Sequence, residues 1–276
     1  SINANTGSVA FDRTVYPVPY GAATGTQFLE HATAGTTALS AGTVVVHVRV
    51  TDADYNVSAQ GEDKISDANV TLQIERGSNV QFLATYGNTT AVAANAITEV
   101  SPDSGVFEAD VTVAYNVGPE NGCPSVFANG GCILQGDIIT VEYTDNYDAS
   151  GKQQTVTDSA TFDLRNGVLQ SDKSVYLIGS DMILTLIEPD FDLDNDGANS
   201  VTLDLIEWDS DADTTTIADE EAAFDPEPSD LRETGDSTGI FQVVIEIPAA
   251  LNGENLDRGE KIDLEYTDWG PAGADY

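Results

Sequence analysis

The chain has 276 residues, with 47 Asp or Glu against 10 Lys or Arg, and its formal net charge at pH 7 is −37. Such a surface repels nucleic acid and anionic lipid and attracts cations. Hydrophobic residues make up 41% of the chain, enough for cores in two ordinary domains. No apolar run reaches the roughly 18 residues of a transmembrane helix. We therefore expect no nucleic-acid partner and no membrane insertion in this segment.

The acidic residues are clustered along the chain. Residues 181–240 contain 19 acids and a single base, Arg232. A general adaptation to high salt would spread the charge evenly, whereas clustering favours discrete cation sites. Salt adaptation stays open as the alternative.

Four sequence blocks occur twice in the same order, which indicates that the chain is a duplication. They begin at Asp12, Val48, Asp103 and Gly136 in the first copy, and at Asp172, Leu184, Ser237 and Gly259 in the second. We assign the copies to residues 1–165 and 166–276. Insertions at 21–42 and 117–135 lack counterparts in the second copy.

Both copies show the alternation of apolar and polar residues that is typical of half-buried strands. In chain order, the clearest runs are 44–50, 70–74, 139–143, 241–247 and 262–266. Clusters of Gly, Asn, Asp and Pro separate them. Only residues 218–224 could form a short helix. The pattern predicts an all-β fold of tandem immunoglobulin-like sandwiches.

The first copy has about seven candidate strands, of which the last covers residues 155–164. The second copy lacks a counterpart of this strand. A sandwich without an edge strand exposes unpaired backbone and core residues. We expect downstream sequence or another subunit to supply the strand by β-addition. The alternative is that the second copy closes with six strands.

The strongest local motif covers residues 188–197, where carboxylates stand at alternate positions before Gly197. Asp192, Asp194 and Asp196 match the opening of an EF-hand calcium loop, but position 12 of that loop is Leu203 and the flanks look like strands. The motif predicts a calcium loop on a β scaffold, with magnesium as the alternative ion. A merely solvated acidic loop is the competing interpretation.

Acids at corresponding positions of the two copies predict shared ions, because loops at one end of a sandwich cluster. The expected ligand sets are Asp52, Asp54 and Asp145 in the first copy, and Glu188, Asp190 and Asp268 in the second. The alternative is that these acids cap strand ends and stay hydrated.

Cys123 and Cys132 lie in one Gly- and Pro-containing loop and are the only cysteines. They favour a local disulfide, and hence an oxidising extracellular setting, over two free thiols. Asn56, Asn69 and Asn88 begin glycosylation sequons, which also arise by chance.

The catalytic motifs are missing: there is no nucleophile elbow, phosphate-binding loop or His-based metal motif. Paired carboxylates are abundant, but with 47 acids their adjacency carries almost no information. We expect the protein not to be an enzyme. His47 is expected on the outward face of its strand, and Trp208 and Trp269 in the core.

The repeated blocks, among them DRTVYPVPYG, SPDSGVFEADVTV and GDIITVEYTD, resemble the immunoglobulin-like repeats of surface-layer (S-layer) proteins of ammonia-oxidising archaea. The resemblance implies an excerpt of a longer, multi-domain chain that self-associates with identical chains into a lattice on the cell surface. It also implies glycans and divalent cations at domain ends. Its negatively charged pores would enrich cations, including ammonium.

Three functional hypotheses follow. The first is a structural lattice protein stiffened by calcium, which should lose thermal stability in chelator. The second is a secreted adhesin or carbohydrate-binding module that uses Trp208 or Trp269. The third is a subunit of an extracellular filament that uses β-strand donation.

Overall fold

The computed structural model describes residues 4–20, 42–65, 69–85, 88–89, 92–94, 97–113 and 133–268, with the backbone alone described between 79 and 94. The chain is nearly all β, with several antiparallel sheets, which confirms the predicted all-β class. It divides into two compact units, one formed by residues 1–19 and 43–163, the other by residues 20–42 and 164–276. Within the described residues, no helix is both long and apolar enough to cross a membrane.

Unit 1 forms two sheets. Its strands are β1 (Ser8–Phe11), β2 (Val15–Pro17), β3 (Val44–Thr51), β4 (Val70–Arg76), β5 (Asn79–Thr85), β6 (Asn88–Thr89), β7 (Val92–Ala94), β8 (Thr98–Glu99), β9 (Val106–Val113), β10 (Ile138–Asp145) and β11 (Gln154–Asp163). One sheet has the order β1-β3-β9-β7, with β8 also paired to β9. The other has the order β2-β11-β10-β4-β5-β6. The predicted strand at 155–164 is therefore present as β11.

The described residues of unit 2 form a similar arrangement of sheets. It contains β12 (Val168–Ser171), β13 (Asp181–Ile187), β14 (Ser200–Val201), β15 (Ile206–Asp209), β16 (Thr214–Thr216), β17 (Glu227–Glu233), β18 (Ile240–Glu246), β19 (Ala250–Leu251), β20 (Glu254–Asn255) and β21 (Asp263–Tyr266). The sheets have the orders β12-β13-β18-β17-β14 and β16-β15-β21, and β19 pairs with β20. The short helix α1, Glu221–Phe224, lies within the predicted segment 218–224.

The core of each unit lies between its sheets and follows the predicted alternation. In β9, Phe107, Ala109 and Val111 are buried while the residues between them are partly exposed. Strand β1 contacts β10 and β11 of the other sheet, as β12 contacts β21 in unit 2. Side chains on one face of each strand therefore meet those of the opposite sheet, as the period of two requires.

The register shows which strands of the units correspond. Tyr143 of β10 pairs with Val70, and Tyr266 of β21 pairs with Ile206. Strand β10 also pairs along its full length with β11, whereas among the described residues β21 pairs with β15 alone. The part of unit 2 that the structure describes thus has no strand at the position of β11.

Candidate cation site

Three carboxylates of unit 2 converge at one end of the unit. Glu188 follows β13, Asp190 lies in the 3₁₀ turn Pro189–Phe191, and Asp268 follows β21. One carboxylate oxygen from each lies within 4.8 Å of the others. Glu188 and Asp190 are buried. The set predicted from the duplicated blocks is therefore brought together in space.

Each of these carboxylates is held by a specific donor. Glu188 accepts the backbone N–H of Asp190 on Oε1 at 3.1 Å and the hydroxyl of Tyr266 on Oε2 at 2.8 Å. Asp190 accepts the backbone N–H of Arg165 at 3.1 and 3.0 Å on its two oxygens. Asp268 accepts the backbone N–H of Gly167 at 2.8 Å. The segment between the two units' strands, 165–167, therefore orients two of the three groups.

Gly167 has a steric role that the sequence comparison missed. A Cβ at this position would lie 2.4 Å from the Tyr266 ring and 2.5 Å from Oε2 of Glu188. Gly7 occupies the same place in unit 1, where a Cβ would lie 2.6 Å from the Tyr143 ring. The backbone can approach the carboxylates only without a side chain, so these positions require glycine.

Unit 1 contains the same hydrogen-bond network. Asp52 accepts the hydroxyl of Tyr143 at 2.5 Å and the backbone N–H of Asp54 at 2.9 Å. Asp145 accepts the backbone N–H of Gly7 at 2.8 Å. Asp54 accepts the backbone N–H of Asn5 at 3.1 and 3.0 Å.

The two networks differ in how closely the carboxylates approach. Among the described residues, Asp52, Asp54 and Asp145 do not form a three-carboxylate group within the distance found in unit 2. The residue at the centre of the network is an aspartate in unit 1 and a glutamate in unit 2. The extra methylene of Glu188 extends its carboxylate further from the backbone, and we attribute the convergence in unit 2 to this difference.

Electrostatics make the unit 2 cluster costly in its fully ionised form. Burial raises the pKa of Glu188, and the nearby charge of Asp268 raises it further. Burial also raises the pKa of Asp190, with Glu188 as the next cause, while the Arg165 backbone N–H partly opposes the shift. Buried like charges favour a bound proton or a bound cation, because either removes the repulsion.

Tyr20, from a separate segment of unit 2, lies near the cluster. Its ring lies edge-on to Phe191, with 6.0 Å between the ring centroids. Burial raises the pKa of Tyr20, and the charges of Glu188 and Asp190 add to the shift. The buried Tyr20 therefore lies close enough to Glu188 and Asp190 for their charges to act on its hydroxyl.

The loop acids of the EF-hand-like motif lie outside this cluster. Asp192 is buried and accepts the Ser237 hydroxyl at 3.1 Å. The backbone N–H of Asp196 donates to Asp194 at 2.9 Å. Asn199 accepts the backbone N–H of Leu193 at 3.0 Å. These bonds shape a turn, and ion binding by Asp192, Asp194 and Asp196 stays a prediction.

Each unit also contains a buried glutamate that the sequence pattern did not indicate, Glu99 in unit 1 and Glu233 in unit 2. Glu233 accepts the backbone N–H groups of Thr238, Gly239 and Asn199 at 2.7, 2.8 and 3.0 Å. Glu99 makes the matching bonds in unit 1. The available signal was a glutamate six residues before each repeated glycine. Burial disfavours the charged form of Glu99, yet its backbone donors lower its pKa overall.

His47 alternates along β3 with the core residues Val46 and Val48, so it lies on the outward face as expected. It is nevertheless buried, and its Nδ1 lies 2.7 Å from Oδ1 of Asp110. Trp208 is fully buried and packs edge-on against Phe224 with 5.0 Å between ring centroids, as expected for a core residue. It cannot stack on a sugar in this position. Trp269 lies outside the described residues.

The remaining predicted sites are only partly described. Asn56 donates from Nδ2 to Asp103 at 3.0 Å, and Asn69 donates from Nδ2 to the Tyr55 hydroxyl at 2.7 Å. The side chain of Asn88 and both Cys123 and Cys132 lie outside the described residues. Glycosylation and the disulfide stay predictions.

The chain matches no protein-family model, and it shows no significant similarity to a curated protein sequence.

Proposed function

We propose that this chain is a structural part of an extracellular surface layer, in which a bound divalent cation stiffens an immunoglobulin-like β-sandwich unit. The observation that carries the proposal is the convergence of Glu188, Asp190 and Asp268 within 4.8 Å. The three groups come from the ends of two strands and from one turn, so a single ion bound to them would cross-link three chain segments.

The chemistry of the cluster favours calcium, with magnesium as the alternative. Calcium takes six to eight oxygen ligands at about 2.3–2.6 Å in flexible geometry, and carboxylates are its usual protein ligands. The buried Glu188 and Asp190 and the part-buried Asp268 would repel one another when all three are ionised. A divalent ion would supply positive charge against this repulsion and would coordinate carboxylate lone pairs that the hydrogen-bond donors do not use.

A structural role fits the rest of the molecule better than catalysis. The chain carries a formal net charge of −37, which opposes compaction unless cations bind or screen it. The resemblance of its repeated blocks to surface-layer proteins of ammonia-oxidising archaea supports a lattice of identical chains on the cell surface. Glycans, the Cys123–Cys132 disulfide and neighbouring domains of a longer chain belong to the same proposal.

The test compares calcium, magnesium and EDTA on one sample of the chain. Thermal unfolding should shift upward with calcium, and light scattering or electron microscopy should show calcium-dependent assembly. Saturation a hundredfold above the dissociation constant corresponds to about 2.7 kcal/mol of stabilisation. Equal unfolding curves and equal association in calcium and EDTA would contradict the proposal.

We further propose that the negative charge enriches ammonium within the layer. A charged, confined surface raises the local concentration of counter-ions, and salt screens this effect over about 10 Å at 0.1 M. Ammonium partitioning into assembled protein should therefore exceed its bulk concentration at low ionic strength and fall with added NaCl. Equal partitioning of ammonium and a neutral solute at low salt would end this part of the proposal.

A further inference from the structure

Unit 2 exposes a row of apolar side chains on one edge. Val175, Leu177 and Ile178 are 79%, 78% and 41% exposed. The corresponding segment of unit 1 is strand β2 (Val15–Pro17), in which Tyr16 is fully buried. The block that begins at Asp12 corresponds to the block that begins at Asp172, so the two segments hold the same position in their units and differ in burial.

Strand β11 covers this segment in unit 1. It runs parallel to β2, with Thr161 opposite Val15 and Phe162 opposite Tyr16. It runs antiparallel to β10 on its other side. The rings of Tyr16 and Phe162 are 6.2 Å apart at their centroids. Strand β11 therefore fills the gap between β2 and β10 and buries both.

The counterpart segment in unit 2 is not a strand. Residues 175–177 have no regular secondary structure, although their sequence block matches that of β2. A β-strand needs a partner for its backbone N–H and C=O groups. The corresponding segment is thus a strand in unit 1, where β11 lies beside it, and an irregular segment in unit 2.

The far side of the gap also presents matching groups. In unit 1, Gly136 N–H donates to the Phe162 carbonyl at 2.8 Å, and Phe162 N–H donates to the Asp137 carbonyl at 2.9 Å. The repeated block places Gly259 and Glu260 at these two positions in unit 2. Both oxygens of the Glu260 side chain are buried and have no hydrogen-bond partner among the described residues, whereas Asp137 pairs with Arg76. A buried carboxylate without a partner is unusual in a complete fold.

We propose that this edge, formed by residues 175–178 and β21 and here named the acceptor edge, binds an extended polypeptide strand with the chemistry of β11. The bound strand would run antiparallel to β21 and parallel to residues 175–177. Its apolar residues would alternate as Ala160, Phe162 and Leu164 do, with an aromatic ring against Tyr176. Main-chain hydrogen bonds would supply affinity, and the apolar side chains would set the register.

The acceptor edge contains none of the three clustered carboxylates, and it meets the cluster only through Tyr266, which donates to Glu188. Unit 1 displays the occupied form of the same edge, with β11 in place. The duplication therefore identifies the partner as a single extended strand and not as a folded surface.

The test uses the 276-residue chain and a fluorescent peptide with the sequence of residues 153–166, which contains β11. Anisotropy should show saturable binding, and hydrogen exchange should slow at Asp263–Tyr266. A peptide with Phe162→Asp and a scrambled peptide should bind at least about tenfold more weakly, because the buried Phe162 ring fixes which residues of the two strands pair. No saturable binding of the parent peptide would overturn the proposal.

Protein variants locate the binding edge. The double variant Val175→Asp, Leu177→Asp should weaken binding by about tenfold or more, because it places charges where the strand must lie. Val57→Asp is the matched control, as Val57 is 80% exposed in unit 1, and it should leave binding unchanged. Equal binding by both variants would contradict the proposed location, as would faster exchange in Gln154–Asp163, which would show displacement of β11 itself.

The oligomeric state of the chain shows whether a second folded copy, and not a single strand, occupies the acceptor edge. If the chain alone forms a dimer that the Val175→Asp, Leu177→Asp variant dissociates, and the peptide neither binds nor competes, the edge contacts a second folded copy and the strand proposal is wrong. If the chain sediments as a monomer and binds the peptide at the acceptor edge, the proposal stands. Calcium and EDTA arms of the same titration should give the same peptide affinity.

Discussion

The hydroxyl of Tyr266 donates a hydrogen bond to Oε2 of Glu188 over 2.8 Å, and this bond joins the end of β21 to the end of β13. Burial raises the pKa of Tyr266, and the charge of Glu188 adds to the shift, so the hydroxyl keeps its proton at neutral pH. One oxygen of Glu188 is therefore fixed by a neutral donor. The carboxylate is oriented before any ion binds.

Tyr266→Phe should lower both stability and calcium affinity. The substitution keeps the ring but removes a hydrogen bond to a carboxylate, a bond type that contributes about 1.5–3 kcal/mol. Chemical denaturation in EDTA should show the loss of stability, and calcium titration should show weaker binding because Glu188 is no longer oriented. Tyr143→Phe is the control in unit 1, and it should destabilise the protein while leaving calcium affinity unchanged.

Asp190→Asn should abolish the calcium-dependent part of the stability. The asparagine oxygen can still accept the Arg165 backbone N–H, but the site loses one negative charge. In EDTA the variant should unfold within about 1 kcal/mol of the parent or above it, because a repulsive buried charge has been removed. The matched variant Asp54→Asn should keep the calcium response. A full calcium response in Asp190→Asn would show that the ion binds elsewhere.

The chelated protein should lose stability as pH rises. Burial raises the folded-state pKa values of Glu188 and Asp190 above the ordinary carboxyl range near 4. Between the unfolded and folded pKa values the folded state binds more protons, so the free energy of unfolding falls with increasing pH. Calcium should reverse this trend, because it binds the deprotonated groups. The double variant Glu188→Gln, Asp190→Asn should show a shallower slope in EDTA than the parent, and an equal slope would contradict the assignment.

Glu233→Gln should destabilise unit 2 without affecting calcium. One oxygen accepts the N–H groups of Thr238 and Gly239, and the other accepts that of Asn199. A glutamine amide can satisfy only one side and places a donor against the other, which costs about 1–3 kcal/mol for a buried group. Denaturation curves with and without calcium should show the same loss. A loss that calcium restores would instead place Glu233 in the cation site.

The sequence predicted the features that depend on local pattern and on the internal duplication. The alternating valines of β3 and the strand β11 both follow from the period of two. The meeting of Glu188, Asp190 and Asp268 follows from aligning the two copies and from the clustering of loops in a sandwich. Both inferences need only the order of residues along the chain.

Other features depend on tertiary distances that no spacing encodes. The burial of His47 beside Asp110 comes from what covers the outer face of β3, which alternation alone cannot reveal. The need for glycine at position 167 comes from the approach of the Tyr266 ring. Among the described residues, the carboxylates of Glu188, Asp190 and Asp268 converge and their counterparts in unit 1 do not, and the alignment of the two copies does not contain this difference in distance.

Exchange of the central acids should transfer the cation site between units. Glu188→Asp should withdraw a carboxylate from the unit 2 cluster and weaken calcium binding by at least about tenfold, a change of about 1.4 kcal/mol.

Asp52→Glu should extend the unit 1 carboxylate toward Asp54 and Asp145 and add a further calcium-binding event in calorimetry. Because Asp52 is buried, the longer side chain also costs packing energy of about 1–3 kcal/mol in EDTA. Calcium should recover part of that loss. If Glu188→Asp binds calcium as tightly as the parent, side-chain length does not decide the site, and the difference between the two units has another origin.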